Sequence, residues 1–155
     1  MAGEVDARIA DLGLDVPEVA APVANYVGFV QSGNLVFISG QVPIKDGKFQ
    51  FQGKLGESMS VEDAQAAARL CAINIIAQAK AACDGDLDRV QRVVKLTGFV
   101  NSTGDFTDQP KVINGASDLM VEVFGDKGRH SRAAVSAASL PAGVAVEVEA
   151  VVEIA

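Results

Sequence analysis

Residues 130–150, HSRAAVSAASLPAGVAVEVEA, decide how the chain is read. They open on His130, the one histidine of the sequence, and on Arg132, at the head of a run of small residues. A turn-forming Leu140-Pro141-Ala142-Gly143 follows, then an apolar alternation carrying Glu147 and Glu149. Alternation of period two marks a strand with two unlike faces. Val144, Val146, Val148, Ala150 and Val152 fall on one face; Ala145, Glu147, Glu149, Val151 and Glu153 fall on the other. The pattern predicts strands over 132–138 and 144–154, joined as a hairpin through SLPAG, with the valine face under helices. Direct pairing in such a hairpin sets Arg132 nearer residue 150 than Glu147, and on the valine face. A pocket shared by Arg132 and Glu147 then needs a bulge, or an arginine that turns at the strand's mouth.

Moving toward the N-terminus, residues 25–43, NYVGFVQSGNLVFISGQVP, carry two β-rich runs around Ser32-Gly33-Asn34, which is hairpin chemistry. The second run, Leu35 to Ile38, is continuously apolar, as in a strand buried on both faces. It breaks at Ser39-Gly40, where glycine points to a bulge or a close backbone approach. KFQFQG, residues 48–53, reads as a short third strand. Ser60 starts a long helix with a capping-box-like SVED, and Ala64, Ala68, Cys71, Ile75, Ala79 and Ala82 form its apolar stripe to about Asp84-Gly85. A strand over VVKLTGFVNS, residues 93–102, precedes a second helix with Pro110 in its first turn. That helix presents Val112, Ile113, Ala116, Leu119, Met120, Val123 and Phe124 and stops at Gly125. A short helix over residues 5–12 and an extended two-proline arm precede everything else. Strands, helix, strand, helix, strands make an α+β domain, a single one over residues 1–155 with residues 1–23 as an N-terminal arm. Two helices cover one face of the sheet, so the other face calls for a second copy of the chain.

The totals narrow the partners. Thirteen Lys and Arg against twenty Asp and Glu give a net charge of −7 without a dense basic cluster, which speaks against nucleic acid and for a small metabolite. No apolar run approaches the roughly 20 residues of a membrane helix, and the acidic N-terminus lacks the make-up of a signal peptide. The expected location is the cytoplasm, with no membrane partner. Cys71 and Cys83 lie twelve residues apart on the long helix, about 18 Å along its axis, which is too far for a disulfide. One histidine and two separated thiols leave no metal-ligand cluster. A strand-end arginine is a natural bidentate carboxylate binder, though it and the alternating glutamates also describe an ordinary solvated strand.

ISGQVP at 38–43, together with R-x7-LP-x5-EVEA from Arg132 to Ala150, resembles the reactive-intermediate deaminase family, also called RidA, YjgF or L-PSP endoribonuclease. The resemblance spans roughly residues 24–154. It implies a chorismate-mutase-like fold, a homotrimer with sites in the clefts between subunits, no cofactor, and hydrolysis of enamines or imines such as 2-aminoacrylate to 2-keto acids and ammonia. It implies Arg132 and Glu147 as catalytic residues. Tyr26, Ser39 and Asn114 are implied as substrate-binding side chains, Asn114 on condition of a one-residue insertion before Arg132. Ala134 stands where the family often has cysteine, leaving only backbone groups to orient a substrate there. The longer arm and the FGDKGRHSR approach mark a longer branch of the family. The competing reading is a non-catalytic trimer that binds keto acids or similar carboxylates. Ribonuclease activity fits poorly with the acidic charge and single histidine, and chorismate mutase chemistry with one good cation.

Overall fold

Period-two burial runs the length of β7 (Val146–Ile154): Val146, Val148, Ala150, Val152 and Ile154 are buried, and the residues between them are more open. The computed structural model describes residues 3–19 and 25–155. It places β7 between β2 (Leu35–Gln41) and β5 (Val90–Asn101), antiparallel to both. β1 (Phe29–Ser32) forms the predicted hairpin with β2 across Gly33-Asn34, with Gly33 at a φ of 63° that favours glycine. β6 (Ser131–Ala137) lies outside β5 and parallel to it, giving the order β1-β2-β7-β5-β6. The predicted β6–β7 hairpin is therefore corrected: β5 separates the two strands. A strand, a helix and a second strand in succession close most readily as a parallel crossover, and that pairing wins over the local turn signal. SLPAG becomes a crossing loop with a 3₁₀ turn at Pro141–Gly143. Gln52 Nε2 donates to Ala142 O (2.7 Å) and Gly53 N to Gly143 O (2.9 Å), which ties this loop to the segment before α2.

Helices α2 (Val61–Ala82) and α3 (Gln109–Phe124) cover the valine face. Ser60 caps α2 by accepting from Asp63 N at 3.1 Å. The two helices meet closely because a Cβ at Gly115 of α3 would sit 2.1 Å from the Gln65 carbonyl of α2. All seven predicted core residues of α3 are buried. Cys71 is fully buried, its thiol donating to Val146 O at 3.6 Å; Cys83 caps α2 rather than lying in it, and both thiols are free. The short helix α1 (Glu4–Asp11) docks on α3 and on the turn before β5. The Asp88 carboxylate accepts from Glu4 N (3.0 Å) and Val5 N (2.9 Å), while Arg8 donates to Val123 O (3.3 Å). Those two amide bonds hold the Asp88 carboxyl below its ordinary range. Part of the predicted arm, residues 1–2 and 20–24, lies outside the described residues. Residues 48–53 do not add a strand to the main sheet. β4 (Lys48–Phe49) pairs with β3 (Ile44–Lys45) as a separate two-stranded ribbon.

The other face of the sheet is open in the single chain. Its cross-strand rows are Val30–Phe37–Val151–Lys95, then Glu149–Thr97–Ala133, then Glu147–Phe99–Val135. Phe37 is 46 % exposed, Val30 55 % and Val135 44 %. The expectation that Leu35–Ile38 is covered on both sides is thus corrected for one chain: Val36 and Ile38 are buried, and Phe37 is not. Among the described residues no helix is long and apolar enough to cross a membrane.

Candidate functional site

The register places Arg132 on the helix side of the sheet. Phe29, Ile38, Ala150, Leu96 and Arg132 form one row across the five strands, and β5 and β6 pair without a bulge from Lys95–Ser131 to Asn101–Ala137. β6 is an edge strand, so the side chain reaches past the sheet onto α3. There Arg132 Nη1 donates to Asn114 Oδ1 (2.8 Å) and Ser117 Oγ (3.1 Å), and Nη2 donates to Pro110 O (3.3 Å). A guanidinium has five N–H donors. Three are used among the described residues, which leaves Nε–H and one Nη2–H; Nε and Nη2 share the edge of the guanidinium whose fork geometry matches a carboxylate. All three acceptors are neutral, and no carboxylate forms an ion pair with Arg132 among the described residues. The positive charge is therefore held in place without being neutralised.

Ser117 is itself held. His130 Nδ1 lies 2.6 Å from Gly128 O, which can only accept, so that nitrogen carries a proton. The other nitrogen lies 2.8 Å from Ser117 Oγ, and in the tautomer that carries its proton on Nδ1 it accepts the Ser117 hydroxyl proton. The chain of donors runs from Arg132 to Ser117 to His130 to the Gly128 carbonyl. Ala134 is two residues along β6, opposite Gly98 and partly packed on the core.

Glu147 occupies the other side of the sheet, in the row with Phe99 and Val135. It is half-buried, and burial first, then the charge of Glu149, push its carboxyl above the ordinary range. Among the described residues it has no hydrogen-bond or ion-pair partner. Its carboxylate lies over the β2 bulge: a Cβ at Gly40 would sit 2.3 Å from Glu147 Oε2. Ser39, in the same bulge, donates through Oγ to Val27 O (2.7 Å), the residue after Tyr26, whose side chain is 63 % exposed. Burial, with the Glu147 charge second, raises the Cys71 thiol well above its ordinary range, so it is no nucleophile.

Two clusters result. Arg132, Asn114 and Ala134 stand together at the β6 edge; Glu147, Ser39 and the Tyr26 segment stand together around the β2 bulge. Three interstrand steps of about 4.8 Å put β2 roughly 14 Å from β6, and Arg132 and Glu147 use opposite faces. One chain does not bring them into a single cavity, which corrects the picture of Glu147 on a strand next to Arg132. Ser117 and His130 were not assigned a role from the sequence. The available signal was spacing: Pro110, Asn114 and Ser117 recur at helical intervals on one face of α3. Among the described residues no three His, Cys, Asp or Glu side chains converge as metal ligands would.

Comparison with known proteins agrees with this architecture. The profile of a family described as "YjgF/chorismate_mutase-like, putative endoribonuclease" matches residues 6–153. Protein TCP17 of Trypanosoma cruzi is 52 % identical over 153 residues, covering 98 % of this chain and 95 % of its own. The crystal structure of Atu1372 from Agrobacterium tumefaciens superposes with a TM-score of 0.91 at 50 % identity, over 97 % of this chain and 94 % of that one. That of Escherichia coli TdcF with bound serine gives a TM-score of 0.64 at 26 % identity, over 87 % and 92 %.

Proposed function

Because the chain belongs to the YjgF/chorismate mutase-like family, we propose that it hydrolyses small imino acids to 2-keto acids and ammonia, in clefts between copies of itself. The observation that carries this reading is the Arg132 guanidinium, fixed by three neutral oxygens, with Nε–H and one Nη2–H unbonded among the described residues. A small carboxylate fits that fork, and serine, the ligand named for TdcF, is one. The open sheet face, with Phe37 and Val135 exposed, is the surface through which copies meet, three of them by analogy with the fold. Such a meeting brings the Arg132 cluster of one chain against the Glu147, Ser39 and Tyr26 cluster of the next.

In that cleft Arg132 holds the substrate carboxylate and fixes the C=N carbon beside it. Glu147 takes a proton from water as the oxygen adds to that carbon and the imine nitrogen is protonated. The carbinolamine then collapses: Glu147 returns its proton to the amine, the C–N bond breaks, ammonia leaves, and the hydroxyl proton goes to solvent as the keto group forms, replacing the proton that the imine nitrogen took from solvent. A carboxyl raised above its ordinary range is a better base near neutral pH than an unperturbed one. Asn114 acts by orienting Arg132, Tyr26 and Ser39 wall the cavity, and at Ala134 only the backbone is available. The chemistry needs no metal or cofactor. Two unbridged thiols fit a reducing compartment, and we place the protein in the cytoplasm. Its acidic charge favours metabolites over nucleic acid.

A second reading has its own support: among the described residues Glu147 has no hydrogen bond to aim it, as a binding protein without turnover would tolerate. The deciding assay generates 2-aminoacrylate and 2-iminobutyrate in situ and follows keto acid and ammonia. Release faster than the buffer rate is expected of the enzyme; unchanged release with retained pyruvate binding selects the binding protein. Calorimetry of pyruvate with Arg132→Lys tests the pocket itself. Lysine keeps the charge and loses the fork, so affinity falls by about 1.5–3 kcal/mol. Equal affinity would remove Arg132 from the site.

A further inference from the structure

We infer that Ser117 and His130 are positioning residues, which hold the Arg132 guanidinium in the one rotation that leaves Nε–H and an Nη2–H free for a carboxylate. This rests on the function proposed above and adds two residues to it. Each Nη1 hydrogen has an acceptor, Asn114 Oδ1 at 2.8 Å and Ser117 Oγ at 3.1 Å. Without Ser117 one Nη1 hydrogen loses its acceptor, and Asn114 Oδ1 and the longer Nη2 bond to Pro110 O are left to hold the fork against turning. Ser117 fixes the second hydrogen by accepting it through an oxygen lone pair, and its hydroxyl is itself held by the 2.8 Å contact with His130 Nε2. His130 is in turn fixed by its Nδ1 bond to Gly128 O. The Gly128 backbone is wedged against α3: a Cβ there would sit 2.1 Å from Met120 O. The relay therefore starts from rigid main chain and ends at the anion-binding cation. Arg132 and His130 stand on either side of one hydroxyl with no carboxylate bonded to either among the described residues, so hydrogen-bond direction, not ion pairing, sets the geometry.

The test uses the full-length protein, labelled with nitrogen-15, and reads the arginine side-chain signals by NMR, with Arg132→Lys identifying the resonances. Wild type is expected to show slow rotation of the Arg132 guanidinium and two separate Nη signals. Ser117→Ala and His130→Ala should average them, while Ser117→Thr, which keeps the hydroxyl, and His130→Gln, which keeps an acceptor, should retain at least part of the separation. Pyruvate affinity should fall about tenfold in the two alanine variants, the loss of one hydrogen bond to a charged group, with urea midpoints close to wild type. Equal Nη averaging in wild type and in either alanine variant would overturn the inference. So would alanine variants that bind pyruvate as wild type does, or that lose only stability. If wild type binds no keto acid, the functional reading fails by itself and the Nη signals alone decide whether Ser117 and His130 hold Arg132.

Discussion

Around Arg132 the chain supplies three neutral oxygens and a second relay behind one of them. Around Glu147 it supplies burial, the like charge of Glu149 and no bonded partner among the described residues. Both are charged side chains on an otherwise apolar sheet, and burial costs either one to the extent that nothing compensates it. The cation is compensated within its own fold, at a strand edge backed by α3. The anion faces the uncovered side of the sheet, in the row of exposed Val135. The difference teaches where the chain is complete and where it is not. One half of the proposed site is prebuilt in a single copy, and the other half lies on the open face where we propose that a neighbouring copy docks.

The largest expected effect comes from keeping copies apart. Val135→Arg places a charge in the Glu147 row without touching the bonds of Arg132. Light scattering should then report a mass near the 16.0 kDa of one chain, where wild type gives a multiple of it. Imine hydrolysis should vanish while the circular dichroism spectrum and the Arg132 side-chain signals persist. A wild-type mass of 16.0 kDa would break the comparison at its root.

Next comes Glu147→Gln, which should leave pyruvate affinity nearly unchanged and abolish turnover. It should also change stability with pH. The folded-state carboxyl titrates above its unfolded value, so ionising it opposes folding, and that cost grows as pH rises through the carboxylate range. The variant carries no such cost. Its melting temperature should exceed that of wild type at neutral pH, and the two should converge as pH falls below the range. A variant less stable than wild type at neutral pH would mean that Glu147 has a partner after all.

The smallest effect is expected on the thiols. Replacing Cys71 and Cys83 together with alanine should leave any turnover intact and cost roughly 1 kcal/mol per buried sulfur, as for a methylene. Loss of turnover in a folded variant would assign them chemistry that their burial argues against.

The two halves also differed in how far the sequence could reveal them. The alternation in residues 144–154 identified both faces of β7, and the helical spacing in residues 110–125 identified every core residue of α3. These are local signals, repeated every second or every third to fourth residue. The partner of β6 was not local. Leu140-Pro141-Ala142-Gly143 has the chemistry of a tight turn, and the hairpin it predicted gave way to a parallel pairing with β5, set by α3 between the two strands. The strand–helix–strand order held that information, but the turn outweighed it. Of the acceptors of Arg132, Asn114 was reached only through the family resemblance, as a substrate-binding residue, and Pro110 and Ser117 were out of reach for the same reason. Pro110, Asn114 and Ser117 become its neighbours only once β6 is laid beside α3.

The contact of Asp88 with the first turn of α1 has a consequence for how the chain is made. Glu4 and Val5 leave the ribosome long before Asp88, and Arg8 long before Val123, yet those are the residues that hold α1 in place. Helix α1 has its full set of docking partners only once the chain through Val123 has been made. An eight-residue helix is marginal by itself in water. What keeps α1 helical is therefore the surface it latches onto, formed by residues 83 or more positions later in the chain, and not its own length.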